Sequence, residues 1–516
     1  MGSGLPKDVR PIAVVVVVGA IMSILDATIV NVALQTLRQD LNVSLATIQW
    51  VSTGYLLALA AVIPLTGWMA ERFGPRRVWM TAVAAFVATS VLCGAAWSAD
   101  SLIAFRVLQG LAGGMIMPIG MITLAQAAGP KRMGRVMSVV GVPMLLGPVV
   151  GPVLGGLLVD NLSWRWIFYV NVPVGALGLV LAYKLLPVGR AAGHASEAGH
   201  ATPPLDKLGL LLLSPGVAAI VFGLSEVGTH RTLLVLSAWL PLLVGAAMVA
   251  AFVVRATRIA HPLVDVKLFR GAGFSAAAGT TFLVGGALFG SMILLPLYYQ
   301  VVRGQSPLDA GLLMMPQGVG AALGMHVAGR LTDRVGAGRV VLVGLLVLAL
   351  GTIPYATIGG DTSYGILLAG LFVRGLGLGG TMMPAMAAAY ATLDSGAQVP
   401  RATPMLNVLQ RIGGSLGVAV LTVVLENSLR SEVAGAGGGA GGDGAVGAAL
   451  PDAVRVRLAD PLGAAFAHAY AWSLVGILVA LVPALLLMRE ERRARKRAAE
   501  AARGEERAPA PPAVAA

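Results

Sequence analysis

Runs of about 20 apolar residues recur along this chain from Pro11 to Met488, and no other feature limits its fold as tightly. At a rise of 1.5 Å per residue, each run is long enough to cross a hydrocarbon core of roughly 30 Å. We read fourteen, near residues 11–34, 46–70, 77–97, 101–125, 134–160, 165–186, 207–226, 232–254, 273–301, 309–331, 336–358, 362–388, 404–427 and 463–488. A bilayer interior offers no water to unpaired backbone groups, so these runs are expected to be helices and the chain an all-α integral membrane protein. A surface for water is not available to it, since 57% of the residues are hydrophobic, 12% are charged and the mean hydropathy is +0.82. The first run is long and lacks a small-residue cleavage site, so no cleaved signal is expected.

The formal net charge of +13 raises the question of nucleic acid, and its distribution answers it. With fourteen spans and both termini cytoplasmic, most Lys and Arg residues fall in cytoplasmic loops and in the tail, the positive-inside pattern of a multi-pass protein. No nucleic-acid partner is expected. One cysteine, Cys93, excludes a disulfide framework and a cysteine metal site. The spans hold no His-x-x-x-His pair or acidic ligand cluster, so no metal is expected, and no Gly-Lys-Ser/Thr follows a glycine-rich turn, so no nucleotide site is expected either. An excess of 31 Arg over 6 Lys suggests a G+C-rich bacterial genome.

The spans divide as 6 + 2 + 6. Residues 11–186 form an N-terminal six-helix half, 187–206 a cytoplasmic linker, 207–254 an inserted pair of helices, 255–272 a basic cytoplasmic loop, and 273–488 a C-terminal six-helix half. Within the second half, 428–462 reads as a glycine-rich external loop, and 489–516 as a basic tail beside the inner leaflet. The two halves are related: "GWMAERFGPRR" from Gly67 matches "GRLTDRVGAGR" from Gly329, so Glu71 aligns with Asp333, Arg72 with Arg334, Gly74 with Gly336 and Arg77 with Arg339. "GLAGGMIMP" and "GLGLGGTMMP" repeat in the same way. Such a repeat describes a transporter with its site between two halves. The acid, arginines and glycines of the Gly67 turn suit a latch in which Arg72, Arg76 or Arg77 reaches Glu71, with Gly74 and Pro75 reversing the chain.

This turn resembles motif A of the major facilitator superfamily, and "LIAFRVLQGLAGG" from Leu102 resembles its motif B, with Arg106 and Gln109 in place. "GPVVGPVLGG", Gly147 to Gly156, is similar to motif C, the antiporter signature. "LDATIVNVAL" and "WRWIFYVNVPVG" resemble patterns of the fourteen-helix drug:proton antiporters. The second motif A departs from the first, with Ala337 and Gly338 where Pro75 and Arg76 stand. The resemblance implies the major facilitator fold and drug efflux from a bacterial inner membrane, driven by the proton gradient without a cofactor. In motif C, Gly147, Gly151 and Gly155 share a helix face and allow close approach of another backbone, Gly156 adds to it, and Pro148 and Pro152 favour a bend.

Asp26 is a carboxylate inside an apolar run and needs a reason to be there. It lies roughly 12 Å from the outer end of its span, and Arg106 roughly 7 Å from the outer end of its own, so the two can meet. Burial disfavours the charged carboxylate and a guanidinium favours it, so its protonation is expected to depend on conformation, as the resemblance to proton-coupled antiporters implies. A permanent buried pair that sets helix register is the alternative. Glu426, near the outer end of its span, is a further candidate for coupling or cation binding. His326 is expected to be a packing residue, and Arg374 and Arg411 are intramembrane cations whose partners the sequence does not name. Met117, Tyr298, Tyr299, Gln300, Gln317 and Met383 are candidates for a substrate cavity, since thioethers, phenols and amides adapt to varied lipophilic ligands. The expectation is a monomer, not an enzyme, that exports lipophilic, cationic compounds in exchange for protons. A dedicated exporter of one natural product, antibiotic or lipid is the alternative, and a membrane-embedded enzyme lacks the residues it would need.

Overall fold

The computed structural model describes residues 8–129, 136, 140–141, 150–151, 153–159, 161–187, 204–230, 232, 234–393, 398–435 and 452–507. No strand occurs among them. The helices are α1 Arg10–Asp40, α2 Leu45–Val62, α3 Thr66–Phe73, α4 Pro75–Gly94, α5 Ala99–Ala128, α6 Trp166–Tyr169, α7 Asn171–Leu185, α8 Lys207–His230, α9 Leu236–Arg258, α10 Ala272–Leu297, α11 Pro307–Leu313, α12 Met315–Val335, α13 Ala337–Ala356, α14 Tyr364–Ala391, α15 Val399–Gly435 and α16 Asp452–Arg507. Among the described residues, 12 helices are long and apolar enough to cross a membrane. Of the fourteen expected spans, the one at 134–160 lies mostly outside the described residues. The one at 309–331 is helical but broken: α11 ends before Met314, and Pro316 opens α12, whose Gln317, His326 and Arg330 leave it more polar than the twelve.

Proline and glycine explain the other departures from straight spans. Pro64 lacks an amide donor, and a 3₁₀ turn at Ile63–Leu65 joins α2 to α3 there. After Pro296, the end of α10 loosens into a π turn at Tyr298–Val302. Gly74, with φ 83° and ψ 140°, closes α3, and Gly336, with φ 101° and ψ 148°, closes α12. Both sit in a backbone region that a side chain would strain, so the repeat read from sequence is also a repeat of geometry. Arg72, Arg76, Arg77, Arg255, Arg258, Arg334 and Arg339 gather at the end of the bundle where these two turns lie, called the basic end below.

Two helices run further than hydropathy suggests. α15 takes in 428–435 and α16 begins at Asp452, so both ends of the expected glycine-rich loop are helical, while 436–451 lies outside the described residues. α16 also continues through the basic tail to Arg507.

Glycines set the spacing within the C-terminal half. A Cβ at Gly379 would lie 2.4 Å from the Ala321 carbonyl oxygen, one at Gly344 would lie 2.6 Å from Gly380, and one at Gly417 would lie 2.1 Å from the Gly286 carbonyl oxygen. Backbones can therefore touch across α12, α13 and α14, and across α10 and α15, the packing that membranes favour where burial of apolar surface supplies no drive. α8 and α9 pair through Gly216, Gly223 and Gly245. α8 then bridges both halves: Phe222 stacks on Trp50 of α2 at 5.8 Å, while Leu224 and Val227 pack with Ala419 of α15. α9 is the least buried of the 12 long apolar helices among the described residues, which places it at the rim.

Candidate functional site

Asp26 is buried in the N-terminal half, 1% exposed, and each of its oxygens is used. Oδ2 accepts from Arg106 Nη1 at 2.7 Å. Oδ1 accepts from Gln109 Nε2 at 3.1 Å and from Asn171 Nδ2 at 2.8 Å. Gln109 in turn accepts from Arg106 Nη1 at 2.7 Å, and both amides donate to Ser90 Oγ at 3.0 Å, whose hydroxyl donates to the Phe168 carbonyl at 2.9 Å. Arg106 Nε donates to the Val51 carbonyl at 3.2 Å, and its guanidinium carbon lies 4.0 Å from the Tyr55 ring centroid. The network joins α1, α2, α4, α5 and α7. Helical spacing explains why α5 supplies two members, since Arg106 and Gln109 are three apart and share a face.

Sequence reasoning identified Asp26 and Arg106 and predicted their meeting. It did not assign roles to Asn171, Ser90 or Tyr55. Asn171 was visible as an amide in an apolar run, whereas Ser90 left no signal, because small hydroxyls are common in spans and bond their own backbone. Among the described residues, every hydrogen bond to Asp26 comes from a neutral amide or a guanidinium, so its negative charge is balanced by Arg106 alone. A buried pair of this kind tolerates loss of both charges far better than loss of one.

At the basic end, the two halves touch. A Cβ at Gly67 would lie 2.1 Å from the Pro400 carbonyl oxygen of α15, and Arg401 Nε meets Glu71 Oε1 at 3.2 Å. Glu71, expected to pair within the turn, pairs across the halves with Arg401, while Arg76 donates to the Tyr183 carbonyl at 2.6 Å within the N-terminal half. Which partner Glu71 takes depends on how the halves meet, which no local pattern carries. Gly74 holds the turn, Arg72 and Arg77 are exposed, and in the second turn Asp333 is half-buried and Arg334 exposed. A Cβ at Gly141 would lie 2.6 Å from Met325 Cε and 2.7 Å from Met383 Cγ, so the halves also approach there.

Of the motif C residues, Gly147 and Pro152 lie outside the described residues. A Cβ at Gly151 would meet Thr28 Oγ1 at 2.0 Å, one at Gly155 would meet the Ile29 carbonyl at 3.1 Å, and one at Gly156 would meet nothing within 4 Å. Gly151 and Gly155 therefore face α1, immediately after Asp26 on that helix.

The remaining candidates do not come together. Glu426 is buried and pairs with Arg430 at 3.4 Å, not with the Asp26 network. Tyr298 and Tyr299 are fully buried within the C-terminal half, the former donating to the Gly359 carbonyl at 2.9 Å, while Gln300 is exposed and Gln317 half-buried. Met117 packs at the core and Met383 lies opposite Gly141. His326 is exposed, contrary to the packing role expected of it. Among the described residues, no group of three or more metal-ligating side chains forms.

The sequence profile of the Major Facilitator Superfamily matches residues 16–418. The chain belongs to that superfamily of membrane transporters. It is 45% identical over 414 residues, 80% of this chain and 75% of the other, to the "Multidrug resistance protein B homolog" of Mycobacterium tuberculosis. It is 32% identical over 431 residues, 82% of this chain and 77% of the other, to the "Tetracenomycin C resistance and export protein" of Streptomyces glaucescens. It is 31% identical over 409 residues, 79% of this chain and 78% of the other, to the "Multidrug export protein EmrB" of Haemophilus influenzae. Among solved structures, the proton:xylose symporter XylE superposes with a TM-score of 0.59 at 14% identity, over 91% of this chain and 94% of that one. That likeness concerns the fold.

Proposed function

We propose that this major facilitator protein is a proton-coupled antiporter that exports lipophilic, cationic compounds by alternating access. The single observation that carries this reading is the buried Asp26–Arg106 pair with its amide shell, a charge placed where a bilayer makes charge expensive. The relatives named as multidrug resistance and export proteins support the export direction. In this reading the chain has fourteen spans, the basic end and both termini face the cytoplasm, and the protein acts as a monomer in a bacterial inner membrane, with no cofactor beyond the proton gradient.

The proposed cycle follows from the contacts. A proton on Asp26 removes the charge that holds Arg106, and Arg106 keeps Val51, Gln109 and the Tyr55 ring as partners, so it stays in place while α1 is released. Motif C touches α1 at Thr28 and Ile29, so movement of α1 reaches the helix that carries Gly151 and Gly155. The Glu71–Arg401 pair and the Gly67–Pro400 contact close the cytoplasmic end, and opening it requires both to part. Proton loss to the cytoplasm restores the Asp26–Arg106 pair.

Ethidium efflux from cells lacking their own pumps tests the reading. Efflux that a protonophore stops, and that Asp26→Asn abolishes at equal expression, is the expected result; uphill efflux by Asp26→Asn would sink it. The tetracenomycin exporter among the relatives favours a second reading, a pump dedicated to one natural product. In that case wild type exports no dye and binds one compound far more tightly than a dye panel.

A further inference from the structure

The C-terminal half contains a buried cation with no counter-charge. Arg374, on α14, is 1% exposed, and neither its Nε nor its Nη1 has a hydrogen-bond partner. Its guanidinium carbon lies 5.7 Å from the ring centroid of Tyr470, on α16. The Tyr470 and Tyr355 rings lie 5.1 Å apart, and Tyr299 sits within electrostatic reach of both. All three tyrosines are fully buried. The Tyr355 hydroxyl is committed to the Leu367 carbonyl, and the hydroxyls of Tyr299 and Tyr470 are buried without a hydrogen bond of ordinary geometry, although Tyr299 lies near Tyr355 and Tyr470 near Arg374. Two guanidinium nitrogens and two phenol oxygens therefore lie buried without a well-formed hydrogen bond, and no carboxylate among the described residues pairs with Arg374.

The N-terminal half shows what is missing. There Arg106 is equally buried, and Asp26 neutralises it. Aligning Gly113–Gly114 with Gly379–Gly380 places Arg374 at the register of Leu108, two residues beyond Arg106, which turns it by roughly 200° to another face of its helix. On that face it meets α13 and α16, where Gly351 packs directly on its backbone and Tyr355 and Tyr470 stand in place of a carboxylate. A buried charge without a partner is strongly disfavoured, and native interiors leave few donors unpaired.

We propose that Arg374, with the hydroxyls of Tyr299 and Tyr470, binds a small inorganic anion of chloride size inside the C-terminal half. The ion does for Arg374 what Asp26 does for Arg106. Bound there, the anion locks α14 to α16 and to the end of α10, so stability depends on it.

Thermal unfolding of the full-length protein in detergent, with chloride replaced by gluconate at constant ionic strength, tests the proposal. The melting temperature of wild type is expected to rise with the logarithm of chloride concentration, as for a ligand that binds only the folded state. Arg374→Gln is expected to melt at one temperature in both anions. Tyr470→Glu, which supplies a built-in carboxylate, is expected to stay folded and to lose the chloride dependence. Wild-type curves that coincide in chloride and gluconate overturn the proposal, and so does a chloride dependence that persists undiminished in Arg374→Gln.

Discussion

Asp26 and Arg106 stabilise one another only as a pair, and that separates their structural role from their transport role. Asp26→Asn or Arg106→Gln alone leaves one buried charge uncompensated and should cost about 3–5 kcal/mol, whereas the double variant should recover most of it. Thermal unfolding in detergent measures this, and efflux should be absent in all three variants if the carboxylate carries the proton. Restored efflux in the double variant would reduce the pair to a register device. The Glu71–Arg401 pair belongs to another class: its side chains are 21% and 33% exposed, so it contributes on the order of 0.2–1 kcal/mol. Glu71→Gln should therefore leave the melting temperature nearly unchanged while shifting the balance between inward-closed and inward-open states by less than tenfold. What was legible in the sequence at this scale was charge out of place. Asp26 and Arg106 stood out in apolar runs, while Ser90 did not, and Arg401 drew no attention because its partner lies 330 positions away.

At the scale of helices, the repeat was legible because its turns need glycine. Gly74 and Gly336 both adopt a positive φ, and sequence alone aligned them. The breaks at Pro64 and Met314 were not read, since hydropathy averages over a window and sees one span where the backbone makes two segments. The length of α15 and α16 was missed for the converse reason: a helix that leaves the bilayer keeps its geometry while losing its apolar signal. Gly67 gives the sharpest test of an element contact. A methyl group there meets the Pro400 carbonyl at 2.1 Å, and backbone cannot move aside as a flexible side chain can. Gly67→Ala should hold the basic end open. The chain's one cysteine is Cys93, and Met325 is only 1% exposed, so Met325→Cys on a Cys93→Ser background gives a single probe that is shielded while the halves are together. Faster thiol labelling of Met325→Cys in Gly67→Ala than in wild type is expected, and equal rates would show that the contact does not close the end.

At the scale of the molecule, the two halves meet at the basic end through the Gly67–Pro400 contact and the Glu71–Arg401 pair, and α8 is wedged against both. One proton entering across 100 mV supplies roughly 2.3 kcal/mol, enough to hold about a fiftyfold concentration ratio of a neutral compound. The coupling of that proton to Asp26 is the central claim, and proton movement in reconstituted vesicles tests it most directly. With a pH gradient imposed and a pH-sensitive dye enclosed, ethidium should dissipate the gradient in wild-type vesicles, while in Asp26→Asn vesicles ethidium should move no protons. Ethidium-dependent proton movement at the wild-type rate in Asp26→Asn vesicles would contradict the account.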